Sequence, residues 1–179
     1  MSDPLTNGER EYLLKIARAT LEKNLSDGEV FEPQIGNQRL WQKRGAFVTL
    51  KKSGQLRGCI GYIEPLEPLI LAVRDNAISA ANNDPRFLPV VAAELGKIKI
   101  EISVLTVPEK VEFKDIKKGD GVIIRKGMNS ATYLPQVWED LNKTEEFFGT
   151  LCQKAGLEPD CYKEPGIDFY RYQADVFGE

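Results

Sequence analysis

A cysteine and an arginine stand two residues apart between glycines in residues 56–61, which read Leu-Arg-Gly-Cys-Ile-Gly. Cys59 is a candidate catalytic nucleophile, and Arg57 could stabilise its thiolate or an oxyanion. Glycine weakens a strand and arginine resists burial, so this combination is unusual in a core strand. Glycines such as Gly58 and Gly61 often mark places where the backbone approaches a ligand closely. The segment is therefore the first candidate for a catalytic or ligand-binding site.

Arg57 and Cys59 would lie on one face of a regular strand, with about 7 Å between their side chains. At an effective dielectric constant of about 20, the guanidinium would favour the thiolate by about 2.4 kcal/mol. Burial among apolar side chains would instead leave the thiol inert. Two interpretations stay open for each residue. Cys59 is a functional thiol or a small buried apolar residue, and Arg57 anchors an anion or is a plain surface residue.

Three more residues complete the candidate ligand-binding set. Asp84 and Arg86 lie in a turn that follows a predicted helix, where they could contact a ligand. They could equally pair with each other or cap that helix. Glu101 lies on the polar face of a predicted central strand. Glu101 or Asp84 would move protons in a cysteine-dependent enzyme, but Glu101 could also simply face solvent.

Residues 33–63 contain six cations and no carboxylate, although the whole chain has a net charge of −3. Such a window is typical either of a solvated hairpin or of a surface that binds an anion, a phosphate or an acidic partner. Its few aromatic residues make nucleic-acid binding a weaker alternative.

The chain contains no histidine, which excludes a Ser-His-Asp triad, a Cys-His dyad and histidine-ligated metal. Its three cysteines form no CxxC pair, and this odd count argues against a disulfide framework and a cysteine zinc site. Cys152 is predicted in a helix core, and Cys161 in a loop without a specific role. We predict no metal site, and no motif implies a cofactor.

Hydrophobic periodicity and capping residues predict the elements that would position these side chains. Helices are predicted over about residues 6–24, 68–82, 135–141 and 144–155, and strands over 45–50, 55–63, 97–107, 121–125, 131–134 and 167–176. Thr6 and Glu9 fit a capping box, and residues 51–54 fit a hairpin turn. Helices and strands mix without strict alternation. We therefore predict an α+β fold with a largely antiparallel sheet flanked by helices.

Six separated runs carry a resemblance to a known family. They are residues 45–50 (GAFVTL), 56–61 (LRGCIG), 84–87 (DPRF), 101–105 (EISVL), 134–137 (LPQV) and 151–156 (LCQKAG). Together and in this order they resemble the AMMECR domain family. The resemblance covers one domain over residues 5–177.

The resemblance implies two lobes of unequal size with a cleft between them, lined partly by residues 56–61. It implies little about activity. Bacterial and archaeal relatives are associated with a Memo-type protein and a radical SAM protein in a three-part system, and a regulatory role has been suggested for the family.

The first functional hypothesis is an accessory or regulatory cytoplasmic protein that binds an anionic small molecule or an acidic partner segment in this cleft. The alternative is a cysteine-dependent enzyme with Cys59 as nucleophile, so enzymatic activity stays open. Cytoplasmic location is expected because the sequence shows neither a basic and apolar leader nor an apolar run long enough to span a bilayer.

Overall fold

Two four-stranded β-sheets, each with its own hydrophobic core, divide the chain into two units. The structure is a computed structural model and describes residues 4–34 and 36–179. The first unit comprises the described residues up to Val107 together with Asp175–Glu179, and the second is Pro108–Ala174. The α+β prediction is confirmed, whereas the cleft stays a prediction.

The described part of the chain contains four α-helices and eight strands. The helices are α1 (Asn7–Asp27), α2 (Leu69–Asn82), α3 (Val137–Asp140) and α4 (Thr144–Lys154). The strands are β1 (Ala46–Lys52), β2 (Gln55–Tyr62), β3 (Ile98–Leu105), β4 (Glu109–Val111), β5 (Gly121–Lys126), β6 (Asn129–Tyr133), β7 (Asp168–Tyr172) and β8 (Ala174–Gly178). Strand order is β2-β1-β3-β8 in the first unit and β4-β7-β5-β6 in the second.

Helix α1 begins where the sequence predicts it. The Thr6 hydroxyl accepts the N–H of Glu9 at 3.3 Å, and the Glu9 carboxylate accepts the N–H of Thr6 at 2.8 Å. This capping box satisfies two N–H groups that the first turn leaves without helical partners. The predicted inner face is buried as expected and consists of Leu13, Ile16, Ala17, Thr20 and Leu21.

Buried and half-buried residues alternate along β1, so one face of the first sheet is turned to the core. Ala46, Val48 and Leu50 are fully buried, whereas Phe47 and Thr49, on the opposite face, are half-buried. The buried face belongs to the core that α1 and α2 also supply. Because β2 lies at the sheet edge, one side of its backbone has no neighbouring strand among the residues that the structure describes. The candidate segment therefore lies on an edge strand.

The predicted strand over residues 167–176 is wrong in one respect. It consists of two strands, β7 and β8, which belong to different sheets. β7 pairs with β4 and β5, whereas β8 lies beside β3. Strand-forming residues, many of them aromatic, continue through both strands and carry no information about which sheet each strand joins.

The prediction of no disulfide is also wrong. Cys152 in α4 and Cys161 form a disulfide, and both are buried. The two cysteines are nine positions apart in sequence, and the chain returns to the helix in a short 3-10 turn that begins at Cys161. Burial of Cys152 is confirmed, but Cys161 is not an incidental loop residue. None of the described helices is long and apolar enough to cross a membrane.

Candidate functional site

Two side chains hold the backbone of Cys59 at the free edge of β2. The Cys59 N–H donates to Asp84 Oδ2 at 2.8 Å, and the Cys59 carbonyl accepts from Arg86 Nη2 at 3.2 Å. A carboxylate and a guanidinium thus replace the backbone acceptor and donor that a neighbouring strand would supply. The predicted site residues Cys59, Asp84 and Arg86 therefore lie together.

Asp84 orients this cluster and is poorly suited to transfer protons. Its side chain is only 2% exposed. It accepts the Arg86 N–H at 3.1 Å, Nε at 2.9 Å and Nη2 at 2.7 Å, in addition to the Cys59 N–H. The Arg86 guanidinium, helped by both backbone N–H groups, holds the pKa of Asp84 well below its usual range. Asp84 is therefore ionised and fully engaged at neutral pH, which confirms the pairing interpretation.

Arg86 is fixed on one side and open on the other. Its side chain is 55% exposed, and in the described part of the chain Nη1 has no protein partner. The Asp84 carboxylate raises the pKa of Arg86, and the Cys59 side chain adds to that shift. The guanidinium also lies over the Phe87 ring, 5.6 Å from its centroid. Arg86 thus presents an oriented cationic edge to solvent.

Cys59 is the free cysteine of the described residues, and the residue is half-buried. It lies opposite Thr49 on β1, whose hydroxyl is 3.2 Å from Sγ and donates to it. The surroundings of Sγ thus include a polar hydroxyl, and Arg86 is the arginine next to this residue. We call the exposed edge of Arg86 and the adjoining Cys59 thiol the Arg86–Cys59 corner.

A β-bulge interrupts the regular strand geometry between Arg57 and Cys59. Leu50 pairs with Gly58 and Lys51 pairs with Leu56, so Arg57 is the extra residue of a β-bulge. The assumption of a regular strand, from which the effect of Arg57 on the Cys59 thiolate followed, is therefore wrong.

The Arg57 guanidinium is committed elsewhere. Its Nε and Nη2 donate to both carboxylate oxygens of Glu94, at 3.1 and 2.9 Å. Its Nη1 and Nη2 also donate to the carbonyls of Leu88 and Pro89, at 2.8 and 3.2 Å. Only 16% of the Arg57 side chain is exposed, and its guanidinium holds the loop that contains Leu88 and Pro89 in place. Its role as an anion anchor has no support from these contacts.

Glu94 is the partner of Arg57, and no sequence motif indicates it. It lies in the 3-10 helix Ala92–Lys97 and accepts hydrogen bonds from Arg57, from Lys52 Nζ at 2.7 Å and from the Val91 N–H at 3.1 Å. These partners lower the pKa of Glu94 to about 2, with Arg57 the largest cause. No local pattern pairs Arg57 with a glutamate 37 residues away.

We expect this carboxylate to make stability depend on acid pH. The pKa of Glu94 falls from 4.5 to about 2 on folding, so the unfolded state binds more protons between these values. Its contribution, about 2 kcal/mol after allowance for solvent screening, is complete above pH 4.5 and disappears as pH falls through about 2. Urea unfolding of wild type and Glu94→Gln should give a free-energy difference that shrinks below pH 4.5. A difference independent of pH would contradict this assignment.

The two glycines of the segment make room for protein backbone. A β-carbon at Gly58 would overlap the carbonyl oxygen of Ala80 in α2, and one at Gly61 would overlap the carbonyl oxygen of Ala46 and crowd Phe47. The close approach that the glycines indicate is therefore the approach of α2 and β1. Ligand contact at Gly58 and Gly61 stays a prediction.

Gly58→Ala is expected to lower the free energy of unfolding by about 2 kcal/mol, because the new methyl group meets rigid backbone and α2 must shift. Gly8→Ala is the matched control, since a β-carbon at this helical position has open space. That control should be neutral or raise stability by up to about 1 kcal/mol. Chemical denaturation of both variants measures the contrast, and equal effects would disprove the packing role.

Glu101 lies away from the Arg86–Cys59 corner. It pairs in register with Thr49 on the strand next to β2, and its carboxylate binds Lys51 Nζ at 2.8 Å. Two strand spacings separate Glu101 from Cys59, about 10 Å, which is too far for direct proton transfer. Ser103 lies on the same face of β3 and is buried, so this face does not simply meet solvent.

Residues 33–63, which we call the basic window, do not form an open positive surface. Its charges are largely neutralised by carboxylates that lie outside it in sequence: Arg39 with Glu9, Lys51 with Glu101, and Lys52 and Arg57 with Glu94. Arg44 is buried and donates from Nε to the Leu105 carbonyl. Within the described ranges, no group of three or more histidine, cysteine or acidic residues is placed to hold a metal ion.

Comparisons with known proteins agree with the motifs. A family model described as AMMECR1 matches residues 14–177. A protein of Methanothermobacter thermautotrophicus is 45% identical over 186 residues, covering 98% of this chain and 97% of that protein. Protein MK0488 of Methanopyrus kandleri is 42% identical and covers 100% of this chain and 92% of its own length.

The fold also has a counterpart among solved structures. The crystal structure of the uncharacterised protein PH0010 of Pyrococcus horikoshii matches with a TM-score of 0.85 and 40% identity. The match covers 94% of this chain and 90% of that one. Because the family model and relatives above 40% identity both span most of the sequence, the chain belongs to the AMMECR1 family.

Proposed function

We propose that this protein is an accessory or regulatory binding module that holds an anionic group at the Arg86–Cys59 corner. The group belongs to a small molecule or to an acidic segment of a partner. One observation carries the proposal: Arg86 is oriented by buried Asp84 and by the Cys59 carbonyl, yet its side chain is 55% exposed. Because the guanidinium is already ordered, an anion that binds it pays little conformational entropy.

Acid–base catalysis has less support at this corner. Asp84 is engaged by four donors and its pKa is well below the usual range, so it is a poor proton donor or acceptor near neutral pH. Glu101 is paired with Lys51 and lies two strands away. These positions support binding over catalysis.

The test compares two alkylating reagents that differ in charge. The reagent ratio is the rate at which Cys59 reacts with anionic iodoacetate, divided by its rate with neutral iodoacetamide. This ratio should be higher in wild type than in Arg86→Gln. A cation about 6 Å away in water contributes about 0.7 kcal/mol, so we expect the rate ratio to fall about threefold. Because the other two cysteines form a buried disulfide, the reaction reports Cys59 without further substitutions.

Arg10→Gln is the matched control, because Arg10 also forms an ion pair with an aspartate, Asp175, in the first unit. That variant should keep the wild-type ratio. A parallel titration with inorganic phosphate at constant ionic strength should shift the Arg86 Nε–H and Cys59 amide NMR signals, and should leave the Arg10 signal in place. An unchanged reagent ratio in Arg86→Gln, or no phosphate shift at Arg86, would overturn the proposal.

The cysteine-dependent enzyme is the second candidate, favoured by the free, half-buried Cys59 and by the Thr49 hydroxyl 3.2 Å from its Sγ. The same experiment separates the two. We expect Cys59 to react with iodoacetamide no faster than free cysteine at pH 7. A rate at least tenfold above free cysteine would support a nucleophile.

Four further parts of the proposal rest on the sequence or on the family resemblance alone. They are the location of the site in an interlobe cleft, association with Memo-type and radical SAM proteins, cytoplasmic location, and the additional ligand contacts at Gly58 and Gly61. Nucleic-acid binding is the weaker alternative, because most cations of the basic window already have carboxylate partners.

A further inference from the structure

Arg44 is a buried cation without a counter-ion. It lies between the 3-10 helix Gln38–Trp41 and β1, and only 7% of the residue is exposed. Its Nε donates to the Leu105 carbonyl at 3.1 Å. In the described part of the chain neither Nη atom has a hydrogen-bond partner, and no carboxylate lies within ion-pair distance of them. A guanidinium carries five N–H donors, so most of the donors of Arg44 are unused.

Two carboxylates act on Arg44 from beyond ion-pair distance, and each already has an arginine of its own. Asp175 pairs with Arg10 at 2.9 Å, and Glu9 pairs with Arg39 at 3.5 Å. The three arginines therefore outnumber the two carboxylates, and Arg44 is the one left over. Burial lowers the pKa of Arg44, and Asp175 and Glu9 offset only part of that effect. An arginine still keeps its charge at neutral pH.

A small opening connects the Arg44 guanidinium with solvent. The fully enclosed side-chain nitrogen and oxygen atoms that lack a partner in the described residues are Thr20 Oγ1 and Trp41 Nε1. The unpartnered Nη atoms of Arg44 are not among them, so solvent reaches them. Because so little of Arg44 is exposed, a small ion can enter this opening, whereas a protein segment or a nucleic acid cannot. A buried charge without a partner is costly, which favours an anion at this position.

We infer that the Arg44 guanidinium anchors a second anion site, which takes a small oxyanion of the phosphate class. Its two Nη groups are parallel donors in a rigid fork and match two oxygens of one phosphate. The anion supplies the missing negative charge and leaves Arg10 and Arg39 with their own carboxylates. The site shares no residue with the Arg86–Cys59 corner, so the inference is independent of the function proposed above.

The first test is a titration of the whole Arg86→Gln chain with inorganic phosphate at constant ionic strength, followed by NMR of the arginine side chains. This variant lacks the anion site proposed above and keeps Arg44 unchanged. We expect the Arg44 Nε–H signal to shift until it saturates, as it should in wild type. The Arg10 Nε–H signal should stay in place, because this group remains bonded to Asp175 at 3.2 Å.

Methyl phosphate is the second probe and distinguishes two sources of the oxyanion. Saturation of the Arg44 signal by both probes would support the inference and assign the site to a phosphate group carried by a small molecule. Saturation by inorganic phosphate alone would also support it and would assign the site to the free ion.

Urea unfolding gives a second readout through Arg44→Gln, whose amide can still donate to the Leu105 carbonyl. The change is made in the Arg86→Gln chain. Without phosphate it should leave the urea midpoint equal or higher, because an uncompensated buried charge has been removed. In saturating phosphate the midpoint of Arg86→Gln should rise, since the ion binds only the folded state, and that of the double variant should not.

Arg74→Gln is the matched control in the same chain. Arg74 is also a largely buried arginine, 14% exposed, but it has the carboxylates of Asp75 and Glu32 as partners. Its loss should lower the midpoint without phosphate and keep the response to phosphate. No phosphate shift at Arg44 would overturn the inference, as would an Arg44→Gln effect that is equally destabilising with and without phosphate. A wild-type shift at Arg86 alone would also overturn it and leave the Arg86–Cys59 corner as the anion site.

Discussion

Asp84→Asn is expected to lower the free energy of unfolding by about 3 kcal/mol. The asparagine side chain has the same shape, but it loses the negative charge and turns an NH₂ group toward donors. Arg86 then loses its counter-ion, and either the Cys59 N–H or an Arg86 N–H loses its acceptor. Removal of one partner from a buried ion pair typically costs about 3 to 5 kcal/mol. We expect the lower end because the exposed Arg86 guanidinium can regain water.

Asp175→Asn is the matched control for this prediction. Asp175 also binds an arginine in the first unit, Arg10, but both side chains are more exposed than Asp84. Its loss should cost about 1 kcal/mol or less. Urea unfolding compares the variants, and amide hydrogen exchange at Cys59 should accelerate in Asp84→Asn alone. Equal destabilisation, or unchanged exchange at Cys59, would show that Asp84 does not secure the edge of β2.

The second large effect concerns the disulfide of the second unit. Replacement of both Cys152 and Cys161 with alanine should lower the free energy of unfolding by about 3 kcal/mol, because a short closed loop restricts the unfolded chain. Both sulfurs lie in the core with Phe147 and Phe148, so a reduced protein would keep the same packing partners.

Two measurements check this prediction. Dithiothreitol should reduce the stability of wild type to nearly that of the double variant and should leave the double variant unchanged. Cys59→Ala, which removes the free thiol, is the control and should keep the response to dithiothreitol. A thiol assay on the unfolded, unreduced protein should detect one thiol, and detection of three would contradict the disulfide.

Local sequence pattern was sufficient to predict most of the helices, strands and turns. The capping box at Thr6, the apolar face of α1 and the hairpin turn between β1 and β2 all involve residues within a few positions of each other. At Ser53 and Gly54 the turn has positive φ angles of 53° and 79°, as the predicted glycine turn requires. Periodicity and turn chemistry act over such short spans, so they can be recognised along the chain.

Local sequence pattern could not predict which sheet each strand joins. Residues 167–176 resemble a single strand rich in aromatic residues, yet β7 and β8 belong to different sheets. The disulfide could not be predicted for the same reason. Cysteine spacing cannot show that a turn brings Cys161 back to Cys152 in α4.

The candidate site shows this division most clearly. Residue types alone identified Cys59, and a separation of two residues was enough to suggest the Asp84–Arg86 pair. Which arginine accompanies the cysteine depended on a one-residue bulge and on hydrogen bonds that span 25 to 37 residues. The bulge turned Arg57 to Glu94 and left Arg86 beside Cys59.

Composition and short-range pattern therefore established the α+β class, the family motifs and the absence of histidine chemistry. Packing of distant segments decided the partner of each charge and the exposure of Arg86. The physical reason is that a charge or an apolar side chain acquires its role from whatever the folded chain places next to it, and residues far apart in sequence supply those neighbours.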